Sequence, residues 1–287
     1  MVKFLRNYSL LVQTQSGDTL SVEPPFTVEF DITRNTLTSQ NVCSIRIYNL
    51  KDTNRNAIRK NIMDYDDYRA VELRAGYNQN LPVIFSGNIT QCYSVREGTN
   101  FITAIECFDA GYAFENAETN QVFPANFNQI DILKSLAQSL PNVSLGAIGS
   151  FPGVLSRGAS LNGATTDLLR EITGGAFFID NGKVYFLGDN ECLEGEMQVI
   201  NSQSGLLGTP TLEQTVLNFD MIFEPRLIVG QVIKLESITG ANFNGLYKVI
   251  SVKHRGTISP AVCGDAITSV GLWSGTGELS TVQEVID

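Results

Sequence analysis

The sequence predicts a mainly β protein of the α+β class, with two β domains (residues 1–112 and 193–287) flanking a small α/β module (113–192). Three observations lead there. A strand triplet occurs near each end in the same order: VELRAGY, IFSGNITQCYSVREG and FITAIECFD between 71 and 109, then QVIKLES, NGLYKVISVKHRG and AITSVGLW between 231 and 273. The closing strands align Ile102, Thr103, Ala104 and Ile105 with Ile267, Thr268, Ser269 and Val270. Between the copies the apolar period changes from two to that of a helix. An Asn181-Gly182 step between two apolar runs is a strong hairpin signal. A unit repeated in fixed order points to architecture, because a catalytic pocket normally gains nothing from being copied within one chain.

The elements follow in order. FTVEFDI (26–32) puts Phe26, Val28, Phe30 and Ile32 on one face and charges on the other, a half-buried strand. VCSIRIYNL (42–50) alternates again, with Cys43, Ile45 and Ile47 inward, and the polar stretch TRNTLTSQN joins the two as an open loop. Asp52 or Thr53 caps a short helix running through Ile58 and Ile62, and the first copy of the repeat completes a domain near Gly111. In the module, Ile130, Leu133, Ala137 and Leu140 recur at helical spacing until Pro141 stops the helix. A second helix covers about Thr165 to Thr173, ended by Gly174 and Gly175. Phe177, Phe178, Tyr185 and Phe186 around the Asn-Gly turn read as core or interface. The last domain begins beyond NSQSGLLGTP, runs in strands to Trp273 and ends in an acidic tail.

Composition narrows the function. The 287 residues carry 43% hydrophobic and 17% charged side chains, ordinary for a globular chain and unlike a disordered one. With 20 Lys+Arg against 30 Asp+Glu the formal charge is −10, so the surface as a whole repels a phosphate backbone. That disfavours nucleic-acid binding yet is compatible with nucleic acid sliding past. Cys43, Cys92, Cys107, Cys192 and Cys263 form no CxxC pair and are expected to be reduced and buried. The N-terminal run turns polar too soon for a secretory signal, and no stretch approaches the ~20 apolar residues of a membrane span, so no membrane anchor is expected.

A catalytic constellation is hard to find. His254 is the single histidine, and a hydrogen-bonded strand-end role is favoured over a general base because no nucleophile motif accompanies it. Gly158 to Asn162 lacks the closing glycine of a nucleophile elbow, and no Walker loop, dinucleotide fingerprint or HExxH occurs. Asp64, Asp66 and Asp67 could hold a hard cation, but the cluster lacks the glycine and distal glutamate of a calcium loop, and a solvated turn is the favoured reading. Glu29, Asp31, Glu72 and Glu106 occupy polar slots of alternating strands, where a solvated face puts its charges. No cofactor and no metal are expected.

Several segments together resemble the baseplate hub proteins of contractile-tailed bacteriophages, a tail-tube-like β-barrel family also related to type VI secretion spike hubs. In the first domain these are FTVEFDI, SIRIYNLKDTNRNAI with Arg55, and AGYNQNLPVIFSGNI with Gly76, Phe85 and Gly87. The last domain is the more specific match, with Gly205, Gly208, Pro210, Pro225, Gly230, Gly245, Tyr247, His254 and Gly256 in family positions. The resemblance implies a structural virion protein of the tail baseplate, assembled in the host cytoplasm, with two tube-like barrels per subunit. It implies a homotrimer, a pseudo-sixfold ring joining the tail tube or a tube-initiator protein to the central spike and meeting baseplate wedge proteins. The tape measure protein and then DNA would pass its channel without specific binding. The chain ends soon after the second barrel, so the spike is expected to be a separate polypeptide.

Structural and interface candidates are Ile102, Ile105, Ile267 and Val270 together with Pro225, Gly230, Gly245, Tyr247 and His254. Two rival functions remain open at this point. A cell-wall-degrading tail-tip enzyme lacks a catalytic constellation, and a receptor- or carbohydrate-binding β module lacks an aromatic cluster beyond the single Trp273.

Overall fold

The computed structural model describes residues 5–260, 264–275 and 277–285. The N-terminal part contains β1 (Arg6–Gln13), β2 (Thr19–Val22), β3 (Val28–Asn35), β4 (Val42–Tyr48), α1 (Asp52–Ile58), β5 (Ala70–Tyr77), β6 (Val83–Glu97) and β7 (Asn100–Phe108). The middle part holds α2 (Gly111–Asn116), β8 (Glu118–Phe123), α3 (Gln129–Gln138), β9 (Ser144–Ile148), β10 (Ala159–Ala164), α4 (Thr165–Thr173), β11 (Phe177–Asp180) and β12 (Lys183–Phe186). The rest is β13 (Glu191–Ile200), β14 (Leu206–Glu213), β15 (Val216–Ile222), β16 (Gln231–Leu235), β17 (Gly245–Ile258), β18 (Ala266–Trp273) and β19 (Ser280–Val282), with a short 3-10 turn at Ala241–Phe243.

Period-two alternation produces the strands. Along β3 the apolar Val28, Phe30 and Ile32 are buried and Glu29, Asp31 and Thr33 are not. The β11–β12 turn places Asn181 at φ 50° and Gly182 at φ 72°, the left-handed pair that a type I′ hairpin requires. Helix α4 stops at Gly174, whose φ of 64° suits glycine, and Gly175 donates to the Arg170 carbonyl.

Two helices differ from expectation. α1 ends at Ile58 instead of reaching Ile62, because the Lys60 backbone exchanges two 2.9 Å hydrogen bonds with Cys92 on β6 and pulls the chain into an extended path. α3 buries Ile132, Leu133, Leu136 and Ala137, so Ile130 lies at the margin of the apolar face.

Strands of the first and last parts join in one 14-stranded sheet, with path β14-β15-β18-β17-β3-β4-β7-β6-β5-β1-β2. The junction is β17 against β3, antiparallel from Ser251↔Asn35 to Ile258↔Val28. One core lies under β1 to β7 and is built on Leu10, Ile32, Ile45, Ile58, Leu73 and Phe85. A second, under β13 to β18, holds Leu217, Met221, Ile233, Val252 and Leu272. A third fills the middle part between α3, α4 and the β9-β12-β11 sheet.

The sequence repeat is also a register repeat. On one side Ile45, Ile105 and Cys92 stand opposite one another across β4, β7 and β6; on the other Phe219, Val270 and Val252 do so across β15, β18 and β17. The next rows are Ile47-Thr103-Ser94 and Met221-Thr268-His254. Even the irregularity recurs, between Ile89 and Gln91 in β6 and between Val249 and Ser251 in β17. Each unit has four strands, β5-β6-β7-β4 and β16-β17-β18-β15, in the same order.

Candidate assembly surface

Cross-strand partners share a face, so the register fixes which side chains lie together on the side of the sheet opposite the cores. From β14 to the second half of β6 that face carries the carboxylates Glu213, Asp220, Asp31, Glu29, Glu106 and Glu97 and the cations Lys253, Arg255 and Arg46. Lys248, almost fully buried, shares the row of Glu213, so six acids stand against four bases. Several are held in place: Lys253 pairs with Asp31 at 3.1 Å, Arg46 with Glu97 at 3.1 Å, and the Tyr48 hydroxyl donates to Glu29 at 2.7 Å. Two open hollows of about 460 and 610 Å³ indent this face, one at Glu29, Asp31, Arg46 and Arg255, the other at Thr211, Glu213, Asp220 and Lys253. Their walls are strand surface, and in the first the Ser44 hydroxyl donates to Glu106 at 2.9 Å.

The candidate residues distribute over both sides of the sheet. Ile105 and Val270 lie in equivalent core positions, 0% and 2% exposed. Ile102 and Ile267 are also equivalent and lie on the polar face, Ile102 between Tyr48 and Val95, Ile267 between Ile222 and Arg255. Pro225 and Gly230 are buried in the 223–230 connector, and a Cβ at Gly230 would meet the Phe178 ring at 3.1 Å where its φ of 86° already favours glycine. Gly245 opens β17 opposite Leu235, and the Tyr247 hydroxyl donates to the Phe243 carbonyl.

His254 is not at a strand end. It sits in the middle of β17, fully buried, with Nδ1 3.0 Å from the Thr268 hydroxyl and its ring edge-on to Phe223. Burial, with help from the nearby Arg34 charge, lowers its pKa to about 3, so it is neutral at ordinary pH. Asp64, Asp66 and Asp67 lie in the turn before β5, where Asp64 accepts from the Asn61 amide and Asp67 pairs with Arg69. Among the described residues no group of three His, Cys, Asp or Glu side chains is placed to hold a metal ion, and no helix is long and apolar enough to cross a membrane. Cys43, Cys92, Cys107 and Cys192 are free and buried; Cys263 lies outside the described residues.

Sequence reasoning missed a buried polar network where the middle part meets the sheet. Arg34 Nε and Nη2 donate to the two Asp180 oxygens at 2.7 and 2.6 Å, and Asn41 Nδ2 donates to Asp180 and to the Ile179 carbonyl. Asp109 accepts from the Asn181 and Gly182 amides at 2.5 and 3.0 Å, and the Ser86 amide donates to Asn181 Oδ1. The tip of the β11–β12 hairpin is thus plugged into the first part of the chain. It left no local signal, because Arg34 falls in the stretch read as an open loop.

Asp109 lies near the Arg34–Asp180 pair, and burial together with Asp180 pushes its pKa up to about 7. A raised folded-state pKa means that Asp109 supports folding while protonated and that this support is lost as pH rises from about 4 through about 7. His254, depressed to about 3, acts with the opposite sign: its support is present above about 6.5 and lost as pH falls towards 3. Chemical denaturation between pH 4 and 8 is therefore expected to show Asp109→Asn gaining stability relative to wild type as pH rises, by a few kcal/mol at most. A difference that is flat across that range contradicts the assignment.

The profile of the family described as baseplate hub gp41 matches residues 10–255. Curated protein sequences yield no match. Among solved structures the fold is similar to the 43 kDa tail protein of prophage MuSo2 from Shewanella oneidensis, with a TM-score of 0.62, 7% identity and 94% and 98% of the two chains covered. It is equally similar to a tail protein from Neisseria meningitidis MC58, with a TM-score of 0.61, 10% identity and the same coverage. A type VI secretion component of E. coli, described as similar to the T4 tail proteins gp27 and gp5, aligns with a TM-score of 0.57 at 8% identity over 88% and 74%. At such identities the neighbours speak for the fold, a tail-protein-like, mainly β architecture. The family match spans most of the sequence, and the chain belongs to the baseplate hub gp41 family, structural proteins of the bacteriophage tail baseplate.

Proposed function

We propose that this chain is the hub of the baseplate, a homotrimer whose repeated four-stranded units form a pseudo-sixfold ring between the tail tube, or a tube-initiator protein, and the central spike. The observation that carries the reading is the register repeat. Two equivalent units per chain give six in a trimer, a geometry able to meet a sixfold tube on one side and a threefold spike on the other. The acid-rich face lines the channel in this reading. The tape measure protein and then DNA pass it, since a wall with more carboxylates than cations does not hold a polyanion. Wedge proteins dock outside, and the ring assembles in the host cytoplasm before becoming part of the virion.

Copy number tests this. Quantitative mass measurement of tail particles is expected to give three copies of this chain, whether or not the free chain trimerises without the spike. Two or six copies per particle would reject the ring.

A further inference from the structure

Within one chain, β3 covers the second half of β17, setting Thr33 opposite Lys253, Ile32 opposite His254 and Asp31 opposite Arg255. The repeat assigns each partner a counterpart. Lys253, His254 and Arg255 correspond to Tyr93, Ser94 and Val95 on β6; Thr33, Ile32 and Asp31 correspond to Glu213, Leu212 and Thr211 on β14. These counterparts do not meet within the chain. Among the described residues β14 ends the sheet, and β6 beyond Cys92 has β7 on one side and no strand on the other. The vacancy shows in exposure: His254 is fully buried, whereas its equivalent Ser94 is exposed, as are Tyr93 at 41% and, across the gap, Leu212 at 49%.

We propose that β14 of one copy adds to the exposed half of β6 in a second copy, with Glu213 opposite Tyr93, Leu212 opposite Ser94 and Thr211 opposite Val95. The inference rests on the ring reading above and specifies its seam. The occupant is a second copy of this chain because the register demanded of it is the one β3 already shows against β17. A contact between two different edges of the same molecule is heterologous, so it propagates until a ring closes. It also removes two open strand edges, which otherwise invite uncontrolled pairing.

The two kinds of seam are unlike. The intrachain seam pairs eight residues of β17, from Ser251 to Ile258. In the interchain seam Lys60 stands where Arg34 stands in the other: its backbone already takes the edge amide and carbonyl of Cys92. Hydrogen bonding to the neighbour therefore begins only at Ser94, and copies part at this shorter ladder.

The test is disulfide trapping in assembled tails carrying the full chain. Cys92 bonds to Lys60 across the open edge, so by alternation Ser94 turns its amide and carbonyl outward and Val95 with Thr211 forms a non-hydrogen-bonded pair. Such pairs bring side chains close enough for a disulfide. Val95→Cys combined with Thr211→Cys is expected to give a covalent trimer on a non-reducing gel. Leu212→Cys in place of Thr211→Cys, pointing to the opposite face, is expected to give at least tenfold less. Cross-linking through the shifted pair only, or to a different tail protein, overturns the seam. Three copies per particle with no cross-link overturns the seam and leaves the ring; a copy number other than three removes both.

Discussion

Arg34→Ala is expected to cost about 3–5 kcal/mol of stability, the usual penalty for stripping one member from a buried ion pair. Arg34 is 0% exposed and its guanidinium answers both oxygens of Asp180, while Asp109 lies close enough to raise the Arg34 pKa further. Removing it leaves Asp180 buried without its cation, with the Asp109 carboxyl nearby. The loss is expected to fall first on the docking of the β11–β12 hairpin, so hydrogen exchange should rise at residues 177–186 before it rises in β3. Replacing Arg34 and Asp180 together by apolar side chains of similar volume is expected to recover most of the loss, because desolvation of a buried pair offsets much of its attraction. Equal destabilisation of single and double variants in urea titrations would show that packing, and not charge pairing, holds this junction.

Ile105→Asp and Val270→Asp are each expected to destabilise by several kcal/mol, enough to leave a domain of ordinary stability largely unfolded. Ile105 lies between Ile45 and Cys92, and Val270 between Phe219 and Val252, with no polar partner across either row. A carboxylate in either position is buried without a hydrogen bond. Soluble expression and tail assembly should both fail, and to a similar degree in the two variants, because the positions are equivalent. Normal assembly of either variant would break that equivalence.

Strand content and order were legible because alternation is a local property: FTVEFDI and VCSIRIYNL show their inward and outward faces residue by residue, and β3 and β4 follow. The Asn181-Gly182 turn and the α4 stop at Gly174 were equally plain, since each rests on a backbone conformation few residues adopt. The pairing of β17 with β3 was not, for it joins residues more than two hundred positions apart and no local pattern encodes a partner. For the same reason His254 read as a strand-end residue: its burial comes from Phe223 and β3, which the strand's own sequence does not reveal. The α1 boundary was overrun because a tertiary contact, Lys60 with Cys92, outweighs the helical spacing of Ile58 and Ile62. Arg34 fell in the stretch read as an open loop, so its place on the apolar side of β3 and its partner Asp180 became apparent only in three dimensions.

The central claim, a ring built from repeated four-stranded units, is tested most directly by an axial section through assembled tails by electron cryomicroscopy at the level of this chain. The account predicts six near-equivalent units from three copies, with Glu29, Asp31, Glu106 and Asp220 facing the axis and the apolar cores outside. Units turned so that those carboxylates face outward, or a ring in which this chain supplies a number of copies other than three, would contradict it.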